Sequence, residues 1–366
     1  APRDAGGVAE LQEVAPDDVA CLQYSNGFKL WLRVDELYRE HGARASRGAV
    51  DTRAEVWDID PRLPADQAER GLGGLAIDAL EFFGVDLGSM AADKLASWFE
   101  ARQLAHKPGL YRCGLAGTLS LEAAPRLPAH AKPDDAPLLV FLHGTASSAA
   151  GSFGKLWATE NREGSLARES MKARYGDWAY AWEHLSLTLS PIDNAIALAT
   201  ALPAGAELHL VSHSRGGLVG ELLCLGQRTR APDVLDKKLL DNLFAEDRTL
   251  GEVFGFGKRE PKGYAHERKK LGELLALLDA KRLRITRFVR VACPARGTTL
   301  ASVRLDRWLS VVSYLAPDTL VDDAVDFLLA VVKERTDPRT LPGLEAMMPG
   351  SAVVRLLNHP DLEVGA

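Results

Sequence analysis

Positions 212–217 of the chain read Ser212-His213-Ser214-Arg215-Gly216-Gly217. They follow the apolar run Ala206-Glu207-Leu208-His209-Leu210-Val211, which reads as a buried strand. They precede Leu218-Val219-Gly220-Glu221-Leu222-Leu223, which reads as a helix. A strand, a tight turn with a central Ser and then a helix form the setting in which a Ser oxygen stands exposed above a sheet edge. Strand and helix approach closely only if the residues two before and two after the Ser are small. Gly216 fills the second position. Ser212 fills the first, where the usual pattern has Gly, and Ser is also small.

Alone, a small-x-Ser-x-Gly match is a weak signal. Its surroundings strengthen it. Upstream, Pro137-Leu138-Leu139-Val140-Phe141-Leu142-His143-Gly144-Thr145 is an apolar strand running into His-Gly. An oxyanion beside such a Ser takes one backbone N–H from the residue after the nucleophile and a second from just after a neighbouring strand. The expected donors are the amides of Arg215 and Thr145. Downstream, Phe288-Val289-Arg290-Val291-Ala292-Cys293-Pro294-Ala295-Arg296-Gly297-Thr298 is another strand ending in a Pro/Gly turn. Three strands with such turns, in this order, are far less expected by chance than one.

On these residues the chain resembles α/β-hydrolases of the lipase and esterase type. The resemblance rests on His143-Gly144-Thr145, on Ser212–Gly217 and on Cys293-Pro294-Ala295-Arg296-Gly297-Thr298. The last looks like the Ala-Pro-x-x-Gly-Thr turn that follows the next strand in many lipases. The stretch Trp178-Ala179-Tyr180-Ala181-Trp182-Glu183-His184, with Ser190-Pro191-Ile192-Asp193-Asn194 after it, is similar to a bacterial subgroup. Its members sometimes sit beside a caspase-like (CHAT) protease domain in one long polypeptide. The resemblance covers residues 108–358 and leaves 1–107 without a family. It implies a mostly parallel α/β sheet with helices on both faces. It implies Ser214 as the nucleophile towards an acyl ester or lipid, with the amides of Thr145 and Arg215 as oxyanion donors. His143, Gly144 and Gly216 would support them, His143 by ordering the oxyanion loop. No cofactor and no metal is implied.

At 366 residues the chain is long enough for one large domain or two. Its 46% apolar and 26% charged residues are ordinary for a globular protein. A net charge of −6 argues against nucleic acid as a main partner, since a phosphate binder usually carries a basic surplus. No apolar run approaches the length that spans a bilayer. Cys21, Cys113, Cys224 and Cys293 are far apart and read as buried free thiols, which fits a reducing cytoplasm. The N-terminus Ala1-Pro2-Arg3-Asp4 has neither a signal pattern nor an initiator Met, so a processed chain or a fragment is expected.

The organisation expected is an N-terminal α+β appendage over 1–107 and a hydrolase-like domain over 108–366. In the appendage, strands are read at 28–34 and 54–59 and helices at 75–83 and 89–104. The cluster Gly71-Leu72-Gly73-Gly74 lacks the Lys and spacing of a phosphate loop and reads as a helix-start turn. In the larger domain, Gly109–Cys113 and Thr118–Glu122 read as an antiparallel edge. Residues 125–137 read as a loop and 164–174 as a helix. Ser190 reads as an N-cap with Pro191 at the first helical position. Residues 227–283, dense in charges of both signs, read as a helical insertion. It is either a cap over the site or a solvated hairpin. Helices follow near 304–315, 320–333 and 342–357.

A Ser nucleophile needs a base, and the base needs an acid to fix its tautomer. After Ser214 the chain offers only His266, in the charged insertion, and His359, at the end of the last helix. Neither follows a core strand, where the resemblance puts the base. Beyond 284–292 only Leu362-Glu363-Val364 begins another strand. Three explanations stand. The remaining strands, with base and acid, come from another segment of the same polypeptide or from a partner chain that completes the sheet. The chain is instead an inactive interaction module in a multidomain, CHAT-linked assembly. Or an off-pattern base serves, His359, His266 or His143. For the Arg215 guanidinium a helix-surface salt bridge is expected ahead of contact with an anionic substrate, and Trp178 and Trp182 are expected in the core.

Overall fold

The computed structural model describes residues 18–24, 29–35, 37, 44–45, 57–58, 77–83, 100, 104, 106–124, 127, 137–158, 160–228, 237–244, 262–298 and 341–362. The chain forms two compact units, one of residues 1–90, 306–317 and 325–336, the other of 91–305, 318–324 and 337–366. The division at 90–91 falls before the 107–108 boundary read from the sequence.

In the first unit, β1 (Val19–Tyr24) lies between β2 (Lys29–Arg33) and β5 (Ile77–Phe83), antiparallel to both. A short ladder joins β3 (Arg44–Ala45) to β4 (Trp57–Asp58). The helix read at 75–83 is corrected. Ile77–Phe83 is a strand whose register on β1 runs from Val19↔Phe83 to Tyr24↔Ile77. Its aromatic and β-branched residues suit a pleated pairing, and that pairing decides between the two periods.

The second unit is built on a six-stranded sheet. It contains β6 (Gly109–Cys113), β7 (Leu121–Ala123), β8 (Leu138–Leu142), β9 (Ala179–Glu183), β10 (Glu207–His213) and β11 (Arg284–Val291). Their order across the sheet is β11-β10-β8-β9-β6-β7. The first four are parallel, and β6 and β7 make an antiparallel edge. Every residue of β8 and β9 is buried, as expected of parallel strands covered on both faces. Side chains alternate between two cores. Leu138, Val140 and Leu142 join Tyr180 and Trp182 on one face, and Leu139 and Phe141 join Ala179 and Ala181 on the other.

The first face is covered by α3 (Pro191–Ala201), α4 (Gly216–Arg228) and α6 (Lys262–Lys281). The second is covered by α1 (Ala149–Phe153) and α2 (Arg162–Tyr175). The start of α3 is a capping box: Ser190 Oγ accepts from the Asp193 amide, and the Asp193 carboxylate accepts from the Ser190 amide. From β8 the chain returns over the second face to β9, then over the first face to β10 on the other side of β8. The connections after β8 and β10 therefore leave on opposite faces. The crevice between those two carboxyl ends is a topological switch point, the usual ligand position in an open parallel sheet.

Within the insertion, the helix α6 is neither a cap nor a solvated hairpin. Leu271, Leu274 and Leu278 of α6 are fully buried against α3 and α4, so this helix belongs to the layer under the sheet. A short helix, α5 (Lys237–Leu243), precedes it. Two further helices follow, α7 (Pro342–Glu345) and α8 (Ala352–Leu357), and a 3-10 turn at Pro360–Leu362 ends the described chain. Gly71–Gly74, the helices read at 304–315 and 320–333, and residues 229–236 and 245–261 of the insertion lie outside the described residues, as do Glu363 and Val364. The helix read at 89–104 does so except for Glu100 and Leu104. Among the described residues, no helix is long and apolar enough to cross a membrane.

Candidate functional site

Only Ser214 and Arg215 separate the end of β10 from the start of α4. Ser214 makes the turn with φ +50°, a left-handed conformation that costs a non-glycine residue about 1–2 kcal/mol. The turn is closed by Gly217 N donating to Ser214 O at 3.0 Å, and Ser214 N donates to Val291 O at 2.8 Å. Gly216 permits it: a Cβ there would collide with the carbonyl oxygens of Leu142 and His143. At Gly217 a Cβ would collide with the Cys293 side chain. Ser212, standing where Gly is usual, is fully buried beside the Val289 carbonyl. The Ser214 side chain is half-buried, and its Oγ has no hydrogen-bond partner among the described residues.

The loop after β8 lies against this turn. A Cβ on Gly144 would stand 3.0 Å from Ser214 Cβ. Neighbouring amides are occupied: Gly144 N donates to Ser152 Oγ at 3.1 Å and Ala146 N to Ser186 Oγ at 2.8 Å. The amides of Thr145 and Arg215, both on buried residues, have no partner among the described residues. Ala146, at φ +47°, and Ala292, at φ +51°, repeat the left-handed conformation after β8 and β11. All three strained turns thus sit at the carboxyl ends of adjacent strands. Strain of this kind collects at functional sites.

His143 is fully buried. Its Nε2 lies 3.1 Å from the His184 amide, which can only donate, so Nε2 holds the lone pair. The proton is on Nδ1, which donates to the Gly144 carbonyl at 2.9 Å. Burial pushes this imidazole down to about 3, and it is neutral. Glu183 places Oε2 at 3.4 Å from Nε2, while its Oε1 accepts from the Ala149 amide at 3.1 Å. Burial pushes the Glu183 carboxyl up to about 7, so below neutrality a protonated acid faces a neutral ring. The His184 ring stacks on His143, and burial holds it well below the usual imidazole range. These three side chains tie the ends of β8 and β9 to the start of α1, and so fix the loop that carries Thr145.

The surface salt bridge expected of Arg215 is corrected. Its side chain is fully buried. Nε donates to Gly343 O at 3.0 Å and Nη2 to Leu189 O at 2.5 Å, while Nη1 is buried without a partner. Burial pulls the guanidinium down to about 10, against the opposing pull of the Glu100 and Asp193 carboxylates, so it stays charged at neutral pH. Glu100 is also buried. It accepts from the amides of Ser186, Leu187 and Thr188 and from the hydroxyls of Ser186 and Thr188. The loop 185–190 is thereby held from both sides by buried charges of opposite sign.

The segment 342–358 lies over the same sheet edge. Thr298 N donates to Met347 O at 2.8 Å, Thr145 Oγ1 lies 3.4 Å from Met347 Sδ, and Asn358 Nδ2 donates to Ala295 O at 2.7 Å. His359 follows α8, near the turn after β11. His266 is exposed on α6, the helix packed under the sheet. His213 points to the opposite face from α4, with Nδ1 at 3.3 Å from Ser152 Oγ. Among the described residues no imidazole is hydrogen-bonded to Ser214 Oγ, and no group of three or more His, Cys, Asp or Glu side chains is placed to hold a metal. The cysteines are thiols. Burial pushes Cys293, beside Gly217, up to about 11, which leaves it protonated.

Sequence reasoning missed Glu100 and the pairing of Glu183 with His143. Glu183 carried a signal, a lone acid at the carboxyl end of a fully apolar strand. Glu100 carried none, because its partners are 86–88 residues away.

The family described as a domain of unknown function (DUF7379) matches residues 118–235 and 267–365, and the gap between the two matches falls inside the charged insertion. No curated protein matches the chain. Among solved structures, the crystal structure of the Bacillus licheniformis lipase BlEst2 in mature form is similar at a TM-score of 0.29 and 16% identity. The match covers 64% of this chain and 65% of that lipase chain.

Proposed function

The chain belongs to the family described as a domain of unknown function (DUF7379), and we propose that this member is a serine hydrolase of the esterase/lipase class on an α/β-hydrolase-like sheet. Ser214 Oγ attacks the acyl carbon of an ester or lipid, the alcohol leaves, and water releases the acid from the acyl-serine. The amides of Thr145 and Arg215 take the oxyanion. The observation that carries the reading is Ser214 at φ +50° between β10 and α4, with its Oγ and two amides beside it at the switch point unpartnered among the described residues.

The reading requires a base at Ser214 Oγ. We propose that it comes from a segment outside residues 1–366, of the same polypeptide or a partner chain, that pairs with the outer edge of β11. In support, β11 is bonded only to β10 among the described residues, and its Val289 and Val291 are 55% and 49% exposed. His359 and His266 are the bases within the chain that would replace it. The test is hydrolysis of a short-chain p-nitrophenyl ester by the full-length protein. Ser214→Ala should abolish turnover with the fold retained. Turnover unchanged in that variant would overturn the assignment.

A further inference from the structure

A cavity of about 1010 Å³ opens beside the turn that follows β11. Its positive charge is arginine from three elements: Arg290 of β11, Arg296 of the turn and Arg355 of α8. The single carboxylate lining it, Glu221, is bonded to Arg290. The other two guanidiniums pair with no acid among the described residues. Arg296 is exposed and has no partner among the described residues. Arg355 is half-buried, and Nη2 reaches only the neutral Asn242 carbonyl, at 3.4 Å. Three arginines and one glutamate leave two positive charges in excess, in a chain whose net charge is −6. The surplus is therefore local to the cavity.

Such an arrangement asks for an anion. Guanidiniums present paired donors that match carboxylate and phosphate oxygens, and a concave wall concentrates their field. The remaining wall is mixed: Asn242, Asn358 and His359 are polar, and Leu239 and Leu243 of α5 with Leu357 of α8 supply an apolar part. The volume suits a small organic molecule, since ligand pockets run to about 300–1,000 Å³. We infer that this cavity binds an organic oxyanion, a carboxylate or phosphate monoester on an alkyl body, through Arg296 and Arg355. The alkyl body packs on the leucines and the head group meets the two arginines. The inference goes beyond the hydrolase reading and does not depend on it.

Ser214→Ala protein is the binding reagent, so failure here is separate from failure of the catalytic assignment. Octyl phosphate, octanoate and octanol are titrated into the full chain by calorimetry at low salt. At least one of the two anions should bind saturably, at least about tenfold tighter than octanol, as loss of a charged hydrogen-bond partner predicts. Preference between the anions identifies the head group. Arg296→Gln, an exposed position, should weaken anion binding about tenfold, with little change for octanol. Added salt should weaken the anion in the parent protein, where no variant is involved. Equal affinity for octanol and both anions, no binding of any of the three, or unchanged anion affinity in folded Arg296→Gln and Arg355→Gln would overturn the assignment.

Discussion

The imidazoles of His143 and His184 are stacked with centroids 3.9 Å apart, and Glu183 Oε2 lies 3.4 Å from His143 Nε2. The trio makes stability depend on pH in two opposed ways. His143 titrates near 3 in the fold and near 6.5 when unfolded, so below 6.5 the unfolded chain takes up a proton that the fold refuses. Stability falls with pH across that window, by about 2 kcal/mol for this one group at pH 5. Glu183 titrates near 7 in the fold against 4.5, so the fold takes up its proton first and gains stability as pH falls from 7. Glu183→Gln removes that gain. Between pH 7 and pH 5 the variant should lose about 2–3 kcal/mol more than the parent in chemical denaturation. Equal losses would contradict the protonated Glu183.

The close approach of α4 to β8 predicts opposite outcomes at two glycines. Gly216→Ala drives a methyl into the carbonyl oxygens of Leu142 and His143 and should cost about 1–3 kcal/mol. Gly272 sits exposed in α6 with open space around its Cβ position, so Gly272→Ala should stabilise by about 0.5–1 kcal/mol. Thermal unfolding of the two variants checks both signs.

Arg215 separates backbone from side chain. Arg215→Met keeps the amide beside Ser214 but leaves Glu100 buried without its nearby cation. The substitution should cost about 3–5 kcal/mol. Glu100→Gln should cost less in the Arg215→Met background than in the parent, because the two buried charges attract each other. A strictly additive double variant would show that they act independently.

The parallel sheet was legible because its strands are short apolar runs closed by Gly or Pro. Leu138–Leu142 and Glu207–Val211 needed no partner to be recognised, and Ser190-Pro191 marked a helix start by local chemistry. Ile77–Phe83 was misread because its residues suit both periods, and only the pairing with β1 settles it. The layer position of α6 was hidden for the opposite reason: its exposed face carries enough charge to mask Leu271, Leu274 and Leu278. At the site, Ser214, Gly216 and the Thr145 loop were visible as a motif. The Arg215 and Glu100 clamp was not, since contacts across 86–128 residues leave no mark on local sequence.

The proposed origin of the base predicts a rate difference. Residues 1–366 alone should react slowly with a fluorophosphonate probe, because a Ser without its base stays protonated. Oxyanion hole and binding alone leave about 10³–10⁴-fold acceleration over water in a triad enzyme, far below the complete site. Fast labelling of residues 1–366 would instead put the base within the chain, and His359→Ala and His266→Ala would separate the two.

Adduct mapping on the full-length protein tests the central claim most directly. After reaction with the fluorophosphonate, peptide mass spectrometry should find the adduct on Ser214 and on neither Ser212 nor Ser152, and Ser214→Ala should remove it while the unfolding transition is unchanged. An adduct on another serine, or no adduct on the folded full-length protein, would contradict the assignment and leave a hydrolase-like sheet that serves as a binding module.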